Sequence, residues 1–320
     1  MDFVKLEIST LTKGQLRRME EMEKTCGLEP FSRRMLLASV ADMDTFAMLD
    51  GEIITGFITL HLSNRYFDGG LYVVNLNVSP EYRRQGIATR LILASCGCYA
   101  QIYGDKLVTL DVSKDNAAAV ALYTKLGFVN TEEPSENGDT DVVMAASMAK
   151  LLGIVKTPRL LLKRITARDV AEGIQIYRDE RVNKTYMFPD LTEEAAKKLH
   201  DRISMLSAND SRYVRGIFLE NKMVGFINDP EISDTTIELG WVVHPDYHNQ
   251  GYATEAVTHA MKDLFNRGYT EITAGAFEEN PASICVMQKT GMHPIGKTEE
   301  IEYRGKVHHC VFYAIGRDEL

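Results

Sequence analysis

The chain has 320 residues, 45% of them apolar and 25% charged, with a net charge of −9. Its length is that of about two domains, and its composition is that of an ordinary globular protein. No basic half and no Lys/Arg block is present, which argues against nucleic acid as a partner. Met1–Glu7 lacks the apolar core of a secretory leader. The apolar stretch 142–155 is broken by Lys150 and too short to span a bilayer. A cytoplasmic protein without a membrane partner is expected. The five cysteines, Cys26, Cys96, Cys98, Cys285 and Cys310, lack paired metal-ligand spacing, so free buried thiols, no disulfide and no metal are expected.

In chain order, Phe3–Ile8 reads as a strand and Lys13–Lys24 as a charged helix. Asp44–Leu49 and Ile53–Leu60 form a hairpin around Asp50-Gly51. The β-branched run Tyr72–Val78 predicts a buried strand that stops at Pro80. After Arg83-Arg84-Gln85-Gly86-Ile87-Ala88 a helix begins, and Ile87, Leu91, Ala94, Cys98 and Ile102 predict its buried face. A strand, Lys106–Val112, leads to a helix at Asn116–Leu126, with Asp115 as its N-cap and Gly127 at its end. A strand then starts at Gly127-Phe128-Val129, and Val142–Met148 returns after a polar loop at Glu132–Asp141.

The segment Leu151–Thr157 predicts the boundary, giving domains 1–153 and 154–320. The second half opens with a strand at Pro158–Leu162, then helices at Ala167–Glu180 and Glu193–Leu206. Tyr213–Leu219 and Met223–Ile227 pair, and Thr236–Val243 reads as the central strand. A helix at Thr254–Arg267, a strand at Glu271–Phe277, a helix at Ser283–Lys289 and a hairpin, Gly296–Tyr303 with Lys306–Ile315, complete it. Each half is expected to be an α/β mixed sheet with helices on both faces.

The strand–turn–helix at Pro80 is physically telling. The first N–H groups of a helix have no partner inside it and point at whatever sits at its N-terminus. Gly86 admits close approach to the backbone, and the small Ala88 leaves room. This is an anion cradle suited to a diphosphate. It recurs at Pro245, where Gly251 follows six residues on and Ala253 two beyond that, as Gly86 and Ala88 do after Pro80. Asn116 lies 36 residues after Pro80 and Asn280 lies 35 after Pro245, and each is followed eleven residues later by a glycine. Upstream, Gly56-Phe57-Ile58 is echoed by Gly225-Phe226-Ile227. These ordered matches make the chain a tandem duplication.

Both halves resemble the GNAT acyltransferase superfamily, whose acyl-CoA site carries Arg/Gln-x-x-Gly-x-Gly/Ala. Arg83-Arg84-Gln85-Gly86-Ile87-Ala88 matches it in full, while His248-Asn249-Gln250-Gly251-Tyr252-Ala253 puts His at the first position. The first half is similar to ribosomal-protein alanine N-acetyltransferases through Asp115-Asn116 and Leu122-Tyr123…Leu126-Gly127-Phe128. The second is similar to a sister branch of ribosomal-protein acetyltransferases through Glu238-Leu239-Gly240-Trp241 and Asn280-Pro281-Ala282-Ser283.

That resemblance implies acetyl transfer from acetyl-CoA, as co-substrate, to a primary amine of a protein N-terminus or small molecule by direct attack. It implies two CoA cradles, at residues 83–89 (Arg83 to Thr89) and 248–254 (His248 to Thr254). It also implies oxyanion-binding N–H groups at Val78 and Val243, and pantetheine contacts at Asn116, Asn280 and, nearby, Ser283. Tyr123 stands where the family's thiolate acid stands, with a core tyrosine as the bland alternative. Asp111 stands where relatives carry a catalytic glutamate, or is a solvated strand-end acid. The second half has Met287 and Gly275 at those positions and Glu238 on its central strand, as base, amine anchor or ion-pair partner. Two active halves, one active half with a structural or regulatory partner, and a non-catalytic acyl-CoA-binding protein remain the competing functions.

Overall fold

The computed structural model describes residues 1–7, 10–25, 43–64, 66–67, 69–209 and 211–320. The chain divides into two compact units, Met1–Leu152 and Gly153–Leu320. Cys26 and Ile8 lie outside the described residues.

The first unit runs β1 (Asp2–Lys5), α1 (Lys13–Thr25), β2 (Met43–Asp50), β3 (Ile53–His61), β4 (Leu71–Val78), α2 (Ile87–Tyr103), β5 (Leu107–Ser113), α3 (Ala117–Leu126), β6 (Val129–Asn130), β7 (Asp141–Ser147) and α4 (Met148–Leu151). Its strands form one seven-stranded sheet in the order β1-β2-β3-β4-β5-β7-β6. Strands β4 and β5 are parallel and pair only at Leu71–Val108 and Tyr72–Thr109. Beyond Tyr72 they part. The register of β4 against β3 slips between Thr59 and Leu60, which leaves Val74 as an extra residue and shifts the pleat. Hence Leu71 and Val73, then Leu76 and Val78, face the core under α2, while Tyr72, Asn75 and Asn77 face the other side.

The second unit runs β8 (Val155–Lys156), β9 (Leu160–Lys163), α5 (Val170–Arg178), α6 (Glu193–Ala208), β10 (Arg215–Leu219), β11 (Lys222–Asn228), β12 (Thr236–Glu238), β13 (Gly240–Val243), α7 (Tyr252–Asn266), β14 (Glu271–Phe277), α8 (Pro281–Lys289), β15 (His293–Tyr303) and β16 (Lys306–Gly316). The central strand expected at Thr236–Val243 is broken at Leu239. Its first part, β12, pairs in parallel with β14 in the sheet β12-β14-β16-β15. Its second part, β13, pairs with β11 in the sheet β13-β11-β10-β9-β8. The same parting seen in the first unit has here gone far enough to divide the sheet.

Two local expectations need correction. The α3 N-cap is Asn116, whose Oδ1 accepts the Ala119 N–H at 3.2 Å, and not Asp115. The buried face of α2 is Ile87, Leu91, Ile92, Ser95, Cys96 and Tyr99, while Cys98 and Ile102 are exposed. From Ile87 to Ala100 nearly every α2 side chain is apolar or small, so periodicity does not single out a face. Cys96, Cys98, Cys285 and Cys310 are free thiols.

The repeated Gly-Phe-Ile has a steric cause. A Cβ on Gly225 sits 2.2 Å from the Val242 carbonyl oxygen, and one on Gly56 sits 2.8 Å from that of Asn77. Glycine is what lets each neighbour strand approach the central one beside the cradle. Gly225→Ala is therefore expected to destabilise the second unit by about 1–3 kcal/mol, the usual cost of overpacking. A urea unfolding midpoint that does not fall would contradict this.

Candidate active site

In each unit the central strand ends in the same loop. Arg84 (φ 62°) and Gly86 (φ 74°) are left-handed in the first, and Asn249 (φ 58°) and Gly251 (φ 80°) in the second. Alternating backbone hands turn successive N–H groups toward one concavity, and α2 and α7 begin directly after it. Among the described residues no atom comes within 4 Å of a Cβ on Gly86. Ile87 and Tyr252 bury beneath the two helix starts, with Ala88, Thr89, Ala253 and Thr254 in the first turn.

Arg83 and His248 differ chemically yet do the same local work. Arg83 Nε donates to the Val78 carbonyl at 3.2 Å, and His248 Nε2 lies 2.8 Å from the Val243 carbonyl. A carbonyl only accepts, so that imidazole nitrogen carries the hydrogen. Gln85 Nε2 donates to the Glu81 carbonyl, and the Gln250 carbonyl accepts from Arg159.

The strand-end N–H groups follow from register. Ser79 N–H donates to the Thr55 carbonyl at 3.0 Å, and His244 N–H to that of Val224 at 2.8 Å. Hydrogen-bonded and non-hydrogen-bonded pairs alternate in antiparallel strands. The preceding residues, Val78 opposite Gly56 and Val243 opposite Gly225, therefore point their N–H groups away from that neighbour and into the gap.

In the second unit that gap is a cavity of about 300 Å³. It runs from Asn249 and Gly251 past Val243 and Gly275 to Thr185 and Tyr186 of the segment after α5. Asn280 and Ser283 also line it; Asn280 caps α8 by accepting the Ser283 N–H at 3.2 Å and donating to its Oγ at 3.0 Å. Among the described residues no carboxylate lines this cavity, and its charged groups include Arg181 and Lys289.

Glu238 lies elsewhere. It lines a separate cavity of about 180 Å³ with Glu231, Lys297 and Phe312. Burial holds its carboxyl above the ordinary 4.5, Lys297 pulls it back, and Glu231 and Glu299 push it further up. Gly275, which replaces Asp111, has no room for an acid, because its Cβ would sit 2.8 Å from the Phe312 ring.

In the first unit Asp111 lies two residues past the last β4–β5 pair. Leu110 and Val112 face the core under α2, so Asp111 faces the other side, with Tyr72. Its carboxylate accepts from Tyr66 Oη (2.7 and 2.8 Å), Tyr72 Oη (2.7 Å) and Ser135 Oγ. Burial, with Asp111 adding to it, raises the Tyr66 phenol. Tyr123 is on the opposite side, 8% exposed in the core under α2, its ring centroid 5.6 Å from that of Phe128. The structure thus sets Asp111 and Tyr123 on opposite faces of the sheet, with Asp111 just past the last β4–β5 pair and Tyr123 in the core under α2. Sequence reasoning missed Tyr66, Tyr72, Ser135 and Arg159; only strand parity pairs Tyr72 with Asp111.

Residues 14–128 match the acetyltransferase (GNAT) family model, and residues 159–293 match an acetyltransferase (GNAT) domain model. Both halves are GNAT acetyltransferase domains. The chain is an acyltransferase of a family that binds acetyl-CoA. It is 29% identical over 144 residues to the uncharacterized N-acetyltransferase YnaD of Bacillus subtilis, a match spanning 44% of this chain and 84% of that one. It is 42% identical over 90 residues to an N-alpha-acetyltransferase of Sulfurisphaera tokodaii, spanning 26% of this chain and 53% of the relative. Among solved structures, an acetyltransferase (GNAT family) from Bacillus anthracis is 28% identical, with a TM-score of 0.47, and spans 52% of this chain and 99% of its own. RimL, a ribosomal L7/L12 alpha-N-protein acetyltransferase, in complex with coenzyme A, is 19% identical with a TM-score of 0.48, over 52% of this chain and 99% of its own. Among the described residues no group of His, Cys, Asp and Glu is placed to hold a metal, and no helix is long and apolar enough to cross a membrane.

A carboxyl raised on folding binds more protons folded than unfolded. It therefore subtracts stability above its folded value, and the loss is absent below its unfolded one. Glu238→Gln is expected to raise the melting temperature at pH 7, with the gain gone near the ordinary value of 4.5 and below. An equal gain at both pH values would show that charge is not the cause.

Proposed function

We propose that the first half N-acetylates a primary amine by direct attack on acetyl-CoA, and that the second half holds acetyl-CoA without an amine base of its own. The observation that carries this reading is that Asp111, with its three hydroxyl donors, lies just past the last β4–β5 pair on one face of the sheet while Tyr123 lies on the other. A thioester on the cradle side and an amine on the other meet there. The amine nitrogen bonds to the acetyl carbon, and negative charge gathers on the carbonyl oxygen, which the Val78 N–H in the gap stabilises. The carbon–sulfur bond then breaks. Tyr123 gives its proton to the departing sulfur, and Asp111, with its tyrosine hydroxyls, receives the proton that the amine loses. In this reading Arg83, Arg84, Gln85 and the N–H groups from Gly86 to Thr89 hold the diphosphate, and Asn116 holds the pantetheine arm.

The second cavity supports CoA binding at Asn249, Gly251, Thr254, Asn280 and Ser283, but its lining offers no carboxylate to an amine. Glu238 lines a separate cavity, where Lys297 offsets part of the cost of its burial, and in this reading it is not the base. The name of the Sulfurisphaera relative makes the α-amine of a protein chain the first acceptor to assay, with small amines as the alternative.

The test is thiol release from acetyl-CoA across peptides, polyamines and amino acids. Tyr123→Phe keeps the ring's packing and is expected to lower kcat by roughly 10²–10⁴, with CoA affinity little changed. Asp111→Asn is expected to flatten the rise of rate with pH. Silence of Tyr123→Phe on every accepted amine, with loss of turnover in Glu238→Gln, would move the chemistry to the second half.

A further inference from the structure

The two cradles have the same backbone but different charge. The first carries Arg83 and Arg84 in its loop; the second has His248 and Asn249 at those places. His248 is committed to the Val243 carbonyl, and Asn249 bears no charge. A diphosphate at the second cradle would therefore lack the loop cations of the first.

A guanidinium reaches that place from another element. Arg159, just before β9, donates Nη1 to the Gln250 carbonyl at 2.9 Å and Nε to Glu255 Oε2 at 2.7 Å, and lies over the Tyr252 ring at 4.6 Å. Glu255 is fixed in turn by the Arg159 backbone N–H (2.8 Å) and Thr157 Oγ1 (2.5 Å). These contacts hold the fork flat against the first turn of α7. Its Nη2 lies 3.4 Å from where a Gly251 Cβ would be, and it has no described acceptor. Among the described residues, no atom comes within 4 Å of a Cβ on Gly86 in the first cradle.

We propose that Arg159 is the residue that binds the diphosphate of coenzyme A at the second cradle, replacing in space the arginines that the loop has lost in sequence. This rests on the reading of the second cavity as a CoA site. Glu255 and Tyr252 orient the guanidinium, leaving Nη2 to donate to a phosphate oxygen, the charge-assisted geometry for which arginine is suited.

The experiment uses the full chain with Gly86→Glu closing the first cradle, titrated with CoA and with pantetheine, which has the arm but no diphosphate. Arg159→Gln is expected to weaken CoA roughly 10- to 100-fold, the worth of one charge-assisted partner, and to leave pantetheine unchanged. Arg159→Lys, which keeps the ion pair with Glu255 but not the fork, is expected to show a smaller loss in the same direction, and serves if Arg159→Gln does not fold. Unchanged CoA affinity, or equal weakening of CoA and pantetheine, overturns the role of Arg159 while the CoA site stands. If the Gly86→Glu parent binds no CoA, the reading of the second cavity falls, and this inference with it.

Discussion

The parting of one strand from its parallel neighbour is the feature on which the remaining chemistry depends. Two paired parallel strands have no spare N–H groups between them. Where β4 leaves β5 after Tyr72, and where the chain leaves β14 at the end of β12 and continues as β13, backbone donors at Val78 and Val243 face a gap instead of a partner strand. Each gap lies beside a helix N-terminus whose own donors are unpaired. In the proposed function an anionic group at the cradle and a developing oxyanion in the gap would both be met by main-chain groups, independent of most side chains. That independence explains how the two halves keep one design while their side chains diverge.

The divergence is itself informative. Arg83 and His248 both donate to the carbonyl of the strand's last residue, so the loop's shape outlives the change of residue. The residues proposed to act on the amine and the thiolate are not repeated in this way. Phe312 occupies the space an acid at position 275 would need, and the cavity lining is without a carboxylate among the described residues. One half keeps an acid and a phenol on opposite faces of its sheet, while the other keeps a cradle and a cavity.

Much of the cradle was legible in the sequence because its backbone restricts residue choice. Gly86 and Gly251 adopt positive φ, Pro80 and Pro245 end strands, and Gly56 and Gly225 sit where a Cβ does not fit. Side-chain placement was less legible. The run Ile237–Val243 reads as one mostly apolar strand, and only Gly240 hints at the break at Leu239. Asp115 and Asn116 are both good capping residues, and only geometry selects the second. Arg159 lies far from Gly251 in sequence, and no local pattern links them. Glu238 was visible as an acid inside an apolar strand, but pleat direction sends it to a cavity of its own.

The central claim is that the chain carries two separate sites for the same co-substrate. Titration calorimetry of the intact chain with CoA tests it most directly. Two equivalents are expected to bind per chain, one disappearing on Gly86→Glu and the other on Gly251→Glu. A single equivalent in the unsubstituted chain, or two that survive both substitutions, would contradict it.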